Sequence, residues 1–175
     1  MPDTDSFITE QSITELATRL GGRLAANKLR VTTAESCTGG GIAEAITRIS
    51  GSSAWFEAGY VTYSNSQKTR QLDVPTELFA KVGAVSREVV EAMVAGALPR
   101  SGADIAVAVS GIAGPDGGSA EKPVGTVWLA WRKGEQVFSE RRLYAGDREA
   151  VRRQTVATAL EGLLRLADGE NPIQG

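Results

Sequence analysis

Leu29-Arg30-Val31-Thr32-Thr33-Ala34, followed by Glu35-Ser36-Cys37-Thr38-Gly39-Gly40-Gly41, is the stretch on which the fold turns. The β-branched run predicts a strand. The three glycines predict a turn, and Ile42, Ala45, Ile46 and Ile49 beyond them fall on one face of a helix. A strand that feeds a helix through a glycine turn is the building unit of α/β proteins. It recurs downstream, where the apolar run 105–109 leads into Ser110-Gly111-Ile112-Ala113-Gly114-Pro115-Asp116-Gly117-Gly118.

Outward from this unit the pattern continues. Ile13, Leu16, Ala17, Leu20, Leu24 and Ala25 predict an amphipathic helix over 12–28. Residues 51–53 break the chain, 58–64 have the composition of a strand, and 65–72 form a short helix carrying Lys68. Pro75 suits a first helical turn, and Ser86 is an N-cap for a helix whose core face is Val89, Val90, Met93, Val94 and Ala97. Residues 124–131 and 136–144 flank Arg132-Lys133-Gly134-Glu135 as a hairpin, and Asp147 caps a last helix. Helices alternating with strands, followed by a hairpin, imply a single-domain three-layer α/β/α sandwich with a mixed sheet. The domain is expected over 11–168, between a flexible N-terminus at 1–10 and a flexible tail at 169–175.

Composition narrows the chemistry. A chain of 175 residues, 42% hydrophobic and 23% charged, can build one ordinary core. Nineteen basic against 21 acidic residues give a net charge of −2, without the positive field that phosphate-backbone binding needs, so nucleic acid is not an expected partner. There is no histidine and one cysteine, Cys37, which excludes Ser-His-Asp and Cys-His catalysis and any intrachain disulfide. Neither metal nor cofactor is expected. The polar, acidic start and the lack of an apolar stretch of roughly 18 to 20 residues predict a cytoplasmic protein with no membrane partner.

Ligands in open α/β sheets collect at the carboxyl ends of strands, which directs attention to residues 35–41 and 110–118. Ser36 or Thr38, taken alone, reads as an N-cap. Three successive glycines shift the balance toward a ligand, and the start of the following helix offers backbone N–H groups at Gly39, Gly40 and Gly41 to an oxyanion. A nucleophilic Ser36 needs a base, which without histidine falls to a desolvated lysine. Lys68 is the best placed, with Tyr63 and Asn65 beside it; alone it would read as a solvated helical lysine. The expected substrate contacts are Thr38, Gly39, Gly40 and Asn65 on one side and Gly111, Gly114 and Gly117 on the other. Arg148, in the first turn of the last helix, is a candidate anion partner. Ser119 and Lys122 have Ser-x-x-Lys spacing but lie in a Gly/Pro loop, where the two side chains cannot share a helical turn. Trp55, Trp128 and Trp131 read as core or rim aromatics.

Six motifs in order resemble one known family: Thr33-Ala34-Glu35-Ser36-Cys37-Thr38-Gly39-Gly40, Gly51-Ser52-Ser53, Val61-Thr62-Tyr63-Ser64-Asn65, Gly83-Ala84-Val85-Ser86, the 110–118 turn, and Lys122-Pro123-Val124-Gly125-Thr126-Val127. They resemble the CinA C-terminal domain family, with its PncC-type nicotinamide mononucleotide amidohydrolases, over about residues 12–167. The resemblance implies a three-layer fold and hydrolysis of nicotinamide mononucleotide to the nicotinate mononucleotide with release of ammonia. It also implies a serine-lysine mechanism that maps onto Ser36 and Lys68, with Tyr63 in support. Larger members carry an N-terminal domain for ADP-ribose hydrolysis that a chain of this length does not hold, so that activity is not expected. The partners expected are the nucleotide substrate and, at most, a second copy as a homodimer. The rival reading is a non-catalytic nucleotide-binding or competence- and damage-related interaction module of the same fold.

Overall fold

The structure, a computed structural model, describes residues 8–173. The first helix, α1 (Glu10–Ala26), starts two residues earlier than periodicity predicts, because Thr9 caps it. The Thr9 hydroxyl accepts from the Ser12 N–H at 3.0 Å, and the Ser12 hydroxyl accepts from the Thr9 N–H at 2.9 Å. This reciprocal pair satisfies two of the otherwise orphaned donors of a helix start. Part of the expected flexible N-terminus, residues 1–7, lies outside the described residues. At the other end, Pro172 is buried and Ile173 packs against the core, while 169–171 are exposed and residues 174–175 of the expected tail lie outside the described residues.

Five strands form one mixed sheet: β1 (Val31–Glu35), β2 (Phe56–Val61), β3 (Ile105–Gly111), β4 (Thr126–Lys133) and β5 (Gln136–Leu143), in the order β2-β1-β3-β4-β5. β1 runs parallel to β2 and β3, while β4 and β5 complete the sheet as an antiparallel hairpin. β1 is covered on both faces and every residue in it is buried, as expected of a central parallel strand.

The helices α2 (Gly41–Thr47) and α6 (Arg148–Ala167) cover one face with α1. There Trp131 is fully buried, its indole N–H donating to Ala159 O at 3.2 Å, and Gly162 lies so close to the ring that a Cβ would fall 2.2 Å from it. The other face is covered by α3 (Asn65–Leu72) and α5 (Arg87–Ser101), with the short α4 (Glu77–Lys81) beside them. Ser86 and Asp147 cap α5 and α6 as expected. The three-layer architecture with a mixed sheet is therefore present. Among the described residues no helix is long and apolar enough to cross a membrane.

One strand is displaced from its expected position. β2 pairs with β1 only as far as Val61 opposite Glu35, with one further bond from the Thr62 N–H to Glu35 O at 2.8 Å. Residues 62–64 therefore leave the sheet and turn into α3, capped by Ser64, instead of extending the strand. This departure shapes the site.

Candidate active site

The carboxyl ends of β1 and β2 bring Ser36 and Lys68 together. Ser36 follows the last residue of β1, its N–H held by Val109 O of β3 at 3.1 Å. Lys68 lies one turn into α3, and its side chain runs back beneath the sheet end with 1% of its surface exposed. Its Nζ contacts Ser36 Oγ at 3.0 Å, Thr62 O at 2.9 Å and Tyr63 O at 3.0 Å. No carboxylate stands among these partners. Burial therefore lowers the Lys68 pKa to about 8, the Cys37 thiol opposing weakly.

The partner set fixes what the amine can do. An ammonium has three donors and a neutral amine has two plus a lone pair. With the two carbonyls taking two N–H bonds, loss of a proton leaves the lone pair directed at Ser36 Oγ. Such an amine can accept the serine proton, an arrangement suited to nucleophilic catalysis without histidine. The adjacent Cys37 is not a competing nucleophile. Burial, with Glu35 nearby, pushes its thiol up to about 12 and keeps it protonated.

Tyr63 enters the site differently from expectation. Its carbonyl holds Lys68, while the residue as a whole is 59% exposed and its hydroxyl accepts from Arg148 Nη2 at 3.0 Å. Arg148 Nη1 also donates to Gly114 O at 2.8 Å, so one guanidinium joins the end of β2, the second glycine turn and α6. One helical turn on, Arg152 donates to Thr38 O at 3.2 Å. Among the described residues neither arginine is in an ion pair. Both line a cleft of about 830 Å³ whose other walls include Ala113, Pro115, Val124 and the acids Asp147 and Glu149; Ser36 and Lys68 are not among its lining residues.

The expected oxyanion donors need correction. The N–H groups of Gly39 and Gly41 close the turn onto Ser36 O and Thr38 O, each at 3.0 Å. Those of Ile42 and Ala43, in the first turn of α2, donate to the Glu35 carboxylate at 2.8 and 3.0 Å. The N–H groups of Cys37 and Thr38 make no backbone bond among the described residues.

Several expected substrate contacts have internal duties. The Thr38 hydroxyl donates to Glu35 Oε1 at 2.5 Å. Gly39 and Gly40 have φ of +60° and +102°, conformations that L side chains rarely adopt. Gly111 and Gly114 are small because of packing, since added Cβ atoms would lie 2.6 Å from Val127 and 2.4 Å from Val124. Gly117 has φ of +87°, and Asn65 is exposed at the start of α3. Glu35 and Arg152 were not among the expected residues. An acid directly before the serine, with a glycine at the helix N-cap, is the signal that could have found Glu35.

Comparison with known proteins matches residues 13–167 to the model of the CinA C-terminal domain. A Pseudomonas putida protein named nicotinamide-nucleotide amidohydrolase PncC is 75% identical over 154 residues, covering 88% of this chain and 96% of that one. The Escherichia coli K12 protein of the same name is 53% identical over 158 residues, covering 89% and 95%. Among solved structures, a CinA superfamily protein of Klebsiella pneumoniae superposes with a TM-score of 0.87 at 42% identity, covering 90% of this chain and 98% of that one. A competence/damage inducible protein of Agrobacterium tumefaciens gives 0.86 at 51%, covering 88% and 94%.

Proposed function

The chain belongs to the CinA C-terminal domain family, and on that premise we propose that it hydrolyses the carboxamide of nicotinamide mononucleotide through a covalent serine-lysine mechanism. The observation that carries this reading is the 3.0 Å contact between Lys68 Nζ and Ser36 Oγ in a buried setting without a carboxylate counter-ion.

Neutral Lys68 takes the Ser36 proton as Oγ forms a bond to the carboxamide carbon. The developing oxyanion lies against the Cys37 and Thr38 N–H groups. Collapse breaks the C–N bond, and Lys68 returns its proton to the leaving ammonia. Water, deprotonated by the same lysine, then cleaves the acyl-serine and releases the nicotinate mononucleotide. The phosphate is assigned to Arg148 and Arg152, cationic groups on the first turns of α6 that lack a carboxylate partner among the described residues and line one cleft. Tyr63 supports the base through its carbonyl and the rim of the site through its hydroxyl.

Purified protein incubated with nicotinamide mononucleotide tests the reading directly. Stoichiometric ammonia and nicotinate mononucleotide are expected, and mass spectrometry of a quenched reaction should find the acyl group on Ser36. Binding of the nucleotide without ammonia release would instead favour the non-catalytic module.

A further inference from the structure

We propose that Glu35 is a positioning residue for this reaction: its buried carboxylate gathers the first turn of α2 and the Thr38 hydroxyl so that Ser36 and the Cys37 and Thr38 N–H groups face the substrate together. The proposal rests on the reading of Ser36 as nucleophile.

Glu35 is the last residue of β1 and is fully buried. Its Oε1 accepts from Thr38 Oγ1 at 2.5 Å and from the Ile42 N–H at 2.8 Å, and its Oε2 accepts from the Ala43 N–H at 3.0 Å. The Gly40 N–H also faces the carboxylate. Every partner is a donor, the surroundings an ionised carboxylate requires. Burial nevertheless raises the pKa of this carboxyl from its ordinary value, against the pull of the Thr38 hydroxyl and the backbone donors.

The helix start explains why an acid is needed. Gly40 is the N-cap of α2 and has no side chain with which to cap it. Donors normally satisfied by a capping Ser or Asp are met instead from five residues upstream. One end of the 36–41 turn is thus tied to β3 through the Ser36 N–H, and the other to Glu35 through α2. Inside it, the Gly39 and Gly41 bonds use up the remaining freedom. The carboxylate is the knot that closes this loop, and the Cys37 and Thr38 N–H groups are the donors left over. A helix cap alone would affect stability and leave the chemistry untouched. A positioning role would affect the rate of attack at Ser36.

Glu35→Gln separates these roles, because it is nearly isosteric but turns one acceptor into a donor among donors. A fluorophosphonate reads the serine without any nucleotide: Ser36 Oγ bonds to phosphorus, the P–F bond breaks, fluoride leaves and the proton passes to Lys68. Folded Glu35→Gln, checked by circular dichroism, is expected to be phosphonylated about 100-fold more slowly than wild type. Its kcat for nicotinamide mononucleotide should fall by a similar factor, with KM within about threefold and the pH midpoint of the profile unmoved. If that chain does not fold, Thr38→Val, which removes one donor from the carboxylate, should give the same split at about fivefold. Labelling of the folded variant within about threefold of wild type overturns the proposal, even with a lowered melting temperature. Wild type labelled at Ser36 but releasing no ammonia defeats the substrate reading alone, while wild type not labelled at Ser36 defeats both.

Discussion

The turn at 35–41 and the turn at 111–118 both follow parallel strands of the same sheet, and both use glycines at positive φ, yet what surrounds those glycines differs. In the first, Gly39 and Gly40 adopt positive φ so that the backbone can fold around a buried carboxylate and present Ser36. In the second, Gly114 and Gly117 also have positive φ, but Gly111 and Gly114 are in addition small because Val127 and Val124 occupy the space of a side chain. The first is organised by polar groups with a reactive hydroxyl at its centre. The second is a packed wall that offers the Gly114 carbonyl to Arg148. Glycine density alone therefore does not identify chemistry; what the surrounding groups do with the freed backbone does.

The sharpest test of this contrast is Ser36→Ala. It removes one hydroxyl, at a position 7% exposed, whose contacts are the polar Lys68 Nζ and Tyr63 O, and deletes no apolar core atom, so the fold should persist. Ammonia release is expected to fall by about 10⁴-fold or more, as for other catalytic serines, with the circular dichroism spectrum and nucleotide affinity retained. Turnover close to wild type would move the nucleophile out of the first turn.

Next in size is Lys68. Lys68→Arg should cost nearly as much as Lys68→Ala, about 10³-fold in kcat, because a guanidinium cannot accept the serine proton. In wild type, kcat/KM should rise with pH and level off above about 8, as Lys68 loses its charge. Stability follows with a defined sign. The folded pKa of about 8 lies below the 10.5 of the free side chain. Between these values the unfolded chain holds a proton that the folded chain has lost, so wild type should gain stability relative to Lys68→Met as pH rises through that window. A flat activity profile from pH 6 to 10 would remove Lys68 as base.

These effects also show how much could be read from residues alone. The strand-turn-helix unit, α3 with its bounds, and the Ser86 and Asp147 caps were legible, because each rests on local periodicity or on a cap's reach to a nearby N–H. The end of β2 was not. The aromatic and β-branched composition of 58–64 carries no mark of where the partner strand stops, and β1 stops at Glu35. Residues 62 and 63 consequently leave the ladder, and their carbonyls become ligands of Lys68. With no histidine present, elimination made Lys68 the candidate base for a nucleophilic Ser36, and the family resemblance implied the pairing. The anchoring role of Glu35 was hidden because most of its partners are backbone N–H groups, which every residue but proline has.

A smaller effect is expected at Arg148, the residue that joins the end of β2 at Tyr63 to the second turn at Gly114. Arg148→Gln should raise KM for nicotinamide mononucleotide by about 10- to 100-fold, the loss of one charged hydrogen bond or two, with kcat changed by less than about fivefold. Nicotinamide riboside, which has no phosphate, supplies the control. Its kcat/KM should be nearly equal in the two proteins, whereas an equal loss on both compounds would make Arg148 a strut between the end of β2 and the second turn and not a phosphate ligand.

The smallest effect on chemistry should come from the second turn itself. Gly114 has φ of +82°, and a Cβ there would lie 2.4 Å from Val124 Cγ1, so Gly114→Ala combines backbone strain with a steric clash that must push one wall aside. A loss of about 2 kcal/mol of folding stability is expected. Because this wall presents only a carbonyl to Arg148, and Ser36 and Lys68 are anchored through β1, β3 and α3, kcat should stay within about threefold of wild type at a temperature where the variant is folded. The measurement is a thermal or urea unfolding curve beside kcat and KM for the same preparation. A stable Gly114→Ala with a large loss of kcat would reverse the comparison, making the second turn part of the reacting centre and the smallness of its glycine a requirement of the substrate, not of Val124.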